Sequence, residues 1–107
     1  MIHVLATITL QPGTRDRFLE HFARLEPLVR AEDGCLEYGA AIDVQSGLGA
    51  QTPLRPDAVV VVEKWADVAA LTAHLAAPHM DAYRTAVTAM VMGMDLQVLA
   101  PHGQTPS

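Results

Sequence analysis

The residues of this chain best equipped for chemistry fall in one stretch: Glu63-Lys64-Trp65, then Ala70-Leu71-Thr72-Ala73-His74-Leu75, then Pro78-His79 and Tyr83-Arg84. An imidazole titrates close to neutral pH, which makes His74 and His79 natural proton acceptors. The two lie five apart with Pro78 between them, which is not the i, i+4 pair of a helical zinc site. Each can also serve a helix end or hydrogen-bond a neighbour. Acidic pairs at metal-ligand spacing on one helix face are absent, and the glycines are scattered at turns rather than gathered into a phosphate-cradling loop. A nucleophile elbow is also missing.

The composition narrows the field further. At 107 residues the chain has the length of one domain, and residues 1–101 are expected to form it. Half the residues are hydrophobic and 18% are charged, which fits a folded globule. Seven basic against twelve acidic side chains give a net charge of -5, and Lys64 is the only lysine. Clustered cations for a nucleic-acid backbone are lacking. The start, Met1-Ile2-His3-Val4, does not read as a secretory signal, and the weakly charged run Val87 to Ala100 is too short to span a bilayer. The lone cysteine, Cys35, rules out an intramolecular disulfide and a cysteine zinc cluster. No membrane partner is expected, and the location expected is cytoplasmic.

The elements that must position these residues follow from periodicity. Ile2, Val4, Ala6, Ile8 and Leu10 alternate with His3, Leu5, Thr7 and Thr9, as a half-buried strand requires. Gln11-Pro12-Gly13 stops it, and Thr14 reads as an N-cap with Asp16 in the first turn. Phe18, Phe22, Leu25 and Val29 form a helical stripe, bent or divided at Pro27 and stopped by Gly34. Cys35 to Val44 reads as a strand with Leu36, Tyr38, Ala40 and Ile42 on one face. A thirteen-residue loop, Gln45 to Asp57, precedes a strand from Val59 to Trp65 that looks covered on both faces. Asp67 caps a short helix ending near Leu75, and Pro78 opens another whose stripe is Tyr83, Val87 and Met90. Gly93 ends that helix, Met94 to Ala100 is a final strand, and residues 102–107 are expected to be a flexible tail.

Strand, helix, strand, strand, helix pair, strand is the split βαβ order. The fold expected is α+β: a ferredoxin-like, four-stranded antiparallel sheet with its helices on one face. The valine run cannot bury both of its sides against one helical layer, so a second subunit is expected on the open face, giving a homodimeric α/β barrel.

Three motifs together resemble the antibiotic biosynthesis monooxygenase family, which includes the quinol monooxygenases. They are Leu10-Gln11-Pro12-Gly13 after the first strand, the segment Arg30 to Tyr38, and E-x-W followed by A-L-x-x-H-x-x-x-P-H at Glu63–Trp65 and Ala70–His79. The likeness covers nearly the whole chain, with the Gln45–Asp57 loop longer than usual. It implies oxygenation of a small aromatic polyol or quinol by dioxygen without metal, flavin or haem. Such chemistry needs a base for the hydroxyl proton, donors to hold the anion and a dry apolar pocket. His74 is expected as the base, with His79 second or orienting. Tyr38, Trp65, Tyr83 and Arg84 are the expected substrate contacts. In polyketide-oxidising members, the matching tryptophan and arginine hold a substrate oxygen and an anionic intermediate. For Trp65 the other reading is a core ring, for Arg84 a surface pair with Asp81 or Glu63, and for both tyrosines core packing. Haem-degrading relatives carry an asparagine where Ala6 stands in the matching region, and a tryptophan and a histidine where His74 and Arg84 stand. Two other classes remain open: an isomerase of a small phosphorylated keto compound, and a non-catalytic ligand-binding or stress-response module.

Overall fold

The computed structural model describes residues 1–104; residues 105–107 of the expected tail lie outside the described residues. In chain order the elements are β1 (Ile2–Leu10), α1 (Arg15–Arg30), β2 (Cys35–Ala41), β3 (Ala58–Trp65), α2 (Val68–Leu75), α3 (Pro78–Val87) and β4 (Val91–Leu99). The strands pair antiparallel in the order β2-β3-β1-β4. This is the expected α+β, ferredoxin-like sheet. Among the described residues no helix is long and apolar enough to cross a membrane.

One face of the sheet is buried under the helices. Ile2, Val4, Ala6, Ile8 and Leu10 of β1 and Val59, Val61 and Trp65 of β3 pack with Phe18, Phe22, Leu25 and Val29 of α1. Each large apolar side chain buried this way contributes roughly 1.5–3 kcal/mol relative to exposure, so the α1 stripe suffices to seat that helix. Val60 and Val62 project to the opposite face and are only half-buried. One chain therefore covers β3 on one side, not on both.

Four local expectations need correction. Thr14 does stand at the α1 N-cap, but its hydroxyl donates to the Gln11 carbonyl at 2.8 Å instead of capping a helical N–H. Helix α1 runs unbroken through Pro27, because Pro27 and Ala23 (whose carbonyl loses its partner) lie on the exposed side, where water can satisfy it. Strand β2 ends at Ala41, and a register shift between Cys35 and Glu37 throws Leu36 out of the alternation. Leu36 and Ile42 are therefore exposed, while Tyr38 stays buried opposite Glu63. Finally, α3 ends at Val87, and Gly93 lies within β4, paired with Thr9. The backbone turns earlier than expected because the Met90 carbonyl is taken by the Gln11 N–H at 2.8 Å.

Two turns hold the segments that matter for chemistry. Asp67 caps α2 through Ala70 N–H at 2.8 Å. The connection between α1 and β2 is pressed onto the same helix at Gly34, which has φ +80° and whose carbonyl accepts the Ala66 N–H at 2.8 Å. A Cβ at Gly34 would stand 2.6 Å from the Cβ of Ala70. The long connection before β3 is tied by Arg55, whose side chain donates to both carboxylate oxygens of Asp43 at 2.9 and 2.8 Å. That fork holds the Asp43 carboxyl down at about 2.

Gly13 also has φ +80° but has nothing within 4 Å of its missing Cβ. Gly13→Ala therefore carries backbone strain alone, on the order of 1–3 kcal/mol. Gly34→Ala adds the collision with α2, and urea denaturation should show it as the more destabilising of the two. Equal losses would mean that the Gly34–Ala70 approach is slack.

Candidate active site

A cavity of about 320 Å³ lies between the helix-facing side of the sheet and helices α2 and α3. That is at the small end of the ~300–1,000 Å³ range of ligand pockets, a fit for a one- or two-ring aromatic. Strand residues Ala6, Ile8, Val61 and Leu96 and helix residues Phe18, Met80 and Val87 make most of its wall apolar. Into this wall project Tyr38, Glu63, His74, Tyr83, Arg84 and Thr88. No residue of the long loop before β3 belongs to it.

His74 is the centre of the arrangement. Helix α2 carries it one turn beyond Ala70, on the side that Gly34 presses against, and it is 1% exposed. Its Nδ1 lies 2.9 Å from Oε2 of Glu32, and Nε2 of His79 lies 2.8 Å from the same oxygen. A carboxylate oxygen accepts and cannot donate. Both imidazoles therefore donate to it, and in its neutral form His74 carries hydrogen on Nδ1 and its lone pair on Nε2. No buried polar side-chain atom among the described residues is sealed off without a partner, so Nε2 opens onto the cavity that His74 lines. A second group orienting the imidazole from behind is the usual device for presenting a base.

Aromatic rings fix His74 in the other directions. The Trp65 ring lies 4.6 Å from it, centroid to centroid, and that of Tyr38 lies 5.5 Å away, edge-on. Tyr38 in turn stacks on Phe22 at 5.3 Å, and Tyr83 meets Phe18 edge-on at 6.0 Å. Burial pushes both tyrosine hydroxyls well above the usual phenol range, so each stays protonated and able to donate at neutral pH.

Of the six residues singled out from the sequence, Tyr38, His74, Tyr83 and Arg84 line the cavity. Trp65 and His79 do not. Trp65 is fully buried behind the wall, and its indole N–H donates to Oε1 of Glu63 at 2.9 Å, leaving no donor for a substrate oxygen. His79 is half-buried beyond Glu32. Arg84 sits at the rim, where its guanidinium donates to Asp81 at 3.2 Å and to the Leu75 carbonyl, at the end of α2, at 2.8 Å. Its ion-pair partner is Asp81.

Two carboxylates of the site, Glu32 and Glu63, lie outside the six residues expected from the sequence. Glu32 owes its place to the turn between α1 and β2, which no periodicity reveals. Glu63 was within reach: it alternates in phase with Val59, Val61 and Trp65, so the same rule that buries them buries an acid. It is 5% exposed, and desolvation raises its carboxyl to about 7, against the opposing Trp65 hydrogen bond and with help from the Glu32 charge. Burial, then Glu32 and Glu63, push the Cys35 thiol up, which disfavours a reactive thiolate.

The family model described as antibiotic biosynthesis monooxygenase matches residues 1–86. Probable quinol monooxygenase YgiN of Escherichia coli strain K12 is 39% identical over 103 residues, covering 94% of this chain and 98% of its own. Among solved structures, PA3566 from Pseudomonas aeruginosa superposes with a TM-score of 0.78 at 25% identity, over 94% of this chain and 92% of that one. Rv0793 from Mycobacterium tuberculosis gives 0.76 at 24% identity, over 96% of each chain, a likeness of fold.

The buried acid has a consequence for stability. Unfolded, Glu63 ionises near 4.5; folded, near 7. Between those values the folded chain holds a proton that the unfolded chain has lost, so stability falls as pH rises through this window. The full penalty is on the order of 3 kcal/mol above pH 7. Glu63→Gln removes the ionisation, and we expect thermal unfolding of the variant to lack this decline and to gain on the wild type at alkaline pH. Parallel stability curves for the two proteins would contradict a buried acid at this position.

Proposed function

This chain belongs to the antibiotic biosynthesis monooxygenase family, and from that premise we propose that it is a cofactor-independent monooxygenase oxidising a small aromatic polyol or quinol with dioxygen. The observation that carries this reading is His74, its Nδ1 held by Glu32, on the wall of an apolar cavity that fits a one- or two-ring aromatic. Dioxygen is a triplet and reacts slowly with closed-shell molecules; an ionised hydroquinone supplies an electron far more readily than a neutral one. His74 takes the hydroxyl proton, and the imidazolium so formed is stabilised by Glu32 behind it. The hydroxyls of Tyr38 and Tyr83 donate to the anion, and Arg84 adds positive charge at the rim. The apolar wall keeps bulk water from the reacting pair. Overall, a hydroquinone and dioxygen give a hydroxyquinone and water: four electrons leave the substrate and four reach dioxygen, so no outside reductant enters.

His79 and Trp65 act from behind in this scheme, one on Glu32 and the other on His74 and Glu63. A phosphorylated keto substrate fits less well, since Arg84 is the one cation on the wall and Glu63 an acid upon it.

The enzyme proposed is a cytoplasmic homodimer with residues 1–101 as its catalytic domain. The lone Cys35 suits a reducing compartment. Met94 and Leu96 line the cavity yet are 58% and 43% exposed in a single chain, and Val98 beside them is open as well. A second copy packed on the open sheet face and reaching round the β4 edge covers these side chains, which share the helix-facing side with Val4, Ala6 and Ile8, and dries the site.

Oxygen uptake with a panel of benzo- and naphthohydroquinones, in the presence of a chelator, tests the reading. We expect uptake above the uncatalysed rate, lowered roughly 10²–10⁴-fold in His74→Ala and about 10–100-fold in Glu32→Gln. Sedimentation at micromolar concentration should give a dimer. A folded His74→Ala protein with the wild-type rate would dismiss the base, and a monomeric active enzyme would dismiss the pairing.

A further inference from the structure

A monooxygenation has two proton tasks, and His74 can perform only one at a time. Once dioxygen has joined a ring carbon as a hydroperoxide, the carbon must lose its remaining hydrogen while the O–O bond breaks. The base for that hydrogen is again an imidazole, so the departing oxygen needs its proton from another group. Tyr38 and Tyr83, held high by burial, are weak acids, and an arginine does not give up its proton. Glu63 is the group left on the cavity wall with an exchangeable acidic proton.

Its geometry suits that task. Oε1 of Glu63 accepts the indole N–H of Trp65 at 2.9 Å, and the same indole ring lies 4.6 Å from the His74 ring. One side chain thus holds a carboxyl and an imidazole at a fixed separation on the same cavity. The second carboxyl oxygen has no protein donor among the described residues and, being unsealed, opens to the cavity. We propose that Glu63 is the catalytic acid of this site, protonating the distal oxygen of a substrate hydroperoxide so that it leaves as water. This rests on the monooxygenase reading above. In the step, His74 takes the hydrogen from the carbon bearing the hydroperoxide, and that bonding pair becomes the new C=O. The O–O pair departs with the outer oxygen, which takes the Glu63 proton. The imidazolium then returns its proton to the Glu63 carboxylate, so the site ends as it began.

Burial, helped by the Glu32 carboxylate before β2 and opposed by the Trp65 hydrogen bond, raises this acid to about 7. The other titratable groups on its cavity are Tyr38 on β2, His74 on α2 and Tyr83 on α3, and Arg84 lies at the rim, engaged by Asp81. Near neutral pH an acid and a base then coexist on one cavity, which is the arrangement acid–base chemistry demands.

Without an acid the hydroperoxide takes its other exit, expelling hydrogen peroxide and leaving the unhydroxylated quinone. The test measures hydrogen peroxide per oxygen consumed, with uncatalysed oxidation subtracted, using a naphthohydroquinone. We expect the wild type to release hydroxyquinone with little peroxide and Glu63→Gln to take up oxygen while its peroxide fraction rises roughly 10–100-fold. In the wild type the same fraction should climb as pH is raised through about 7, and in Glu63→Gln it should stay flat; the wild-type titration decides the matter even if the variant folds poorly. An unchanged, pH-independent product ratio with normal uptake would overturn this role alone. Absence of any wild-type uptake would remove the monooxygenase reading and this role together.

Discussion

A single carboxylate oxygen, Oε2 of Glu32, meets two imidazoles at 2.9 and 2.8 Å, and the rest of the site follows from what that oxygen can accept. Because it has no hydrogen to give, the two rings must each supply one, and the tautomer of His74 is decided before any substrate arrives. That decision needs Glu32 in place to within a few tenths of an ångström. Gly34, two residues on, supplies the constraint: its turn presses against Ala70, one helical turn ahead of His74. Backbone geometry in one connection and protonation in a helix are thereby joined. Asp67 fixes the start of α2, and Arg84 ties its final turn to α3, so the imidazole cannot swing away from its partner.

The frame around this contact was largely legible in the residues. The five-fold alternation of β1 and the Phe18–Phe22–Leu25–Val29 stripe fixed which faces meet, and both are buried as the periodicity demands. Asp67 and Pro78 marked the two short helices correctly. In strand β2 one residue of bulge takes Leu36 off the face that Tyr38 and Ala40 share with Glu63 and Val61, and a bulge leaves no compositional mark. The boundary between α3 and β4 differs for a related reason: Gly93 reads as a helix stop, yet it pairs with Thr9 inside the strand, beside a β1–β4 register shift.

The site was legible in part, and the division has a physical basis. Tyr38, His74, Tyr83 and Arg84 reach the cavity because their own elements point them there. Trp65, expected as a substrate contact, is buried behind the cavity wall, and its N–H is spent on Glu63. Glu63 was readable from its phase, yet an acid in a motif invites the assumption of exposure. Glu32 was not readable at all, since its role depends on a turn and on two histidines more than forty positions away. Long-range polar contacts carry no period.

The tautomer of His74 is the point on which the chemistry turns, and nitrogen-15 NMR of the imidazole side chains reports it directly. With the ring neutral, the account predicts hydrogen on Nδ1 and a bare Nε2, a preference that Glu32→Ala abolishes. A His74 protonated on Nε2, or a tautomer unaffected by loss of the Glu32 carboxylate, would contradict it.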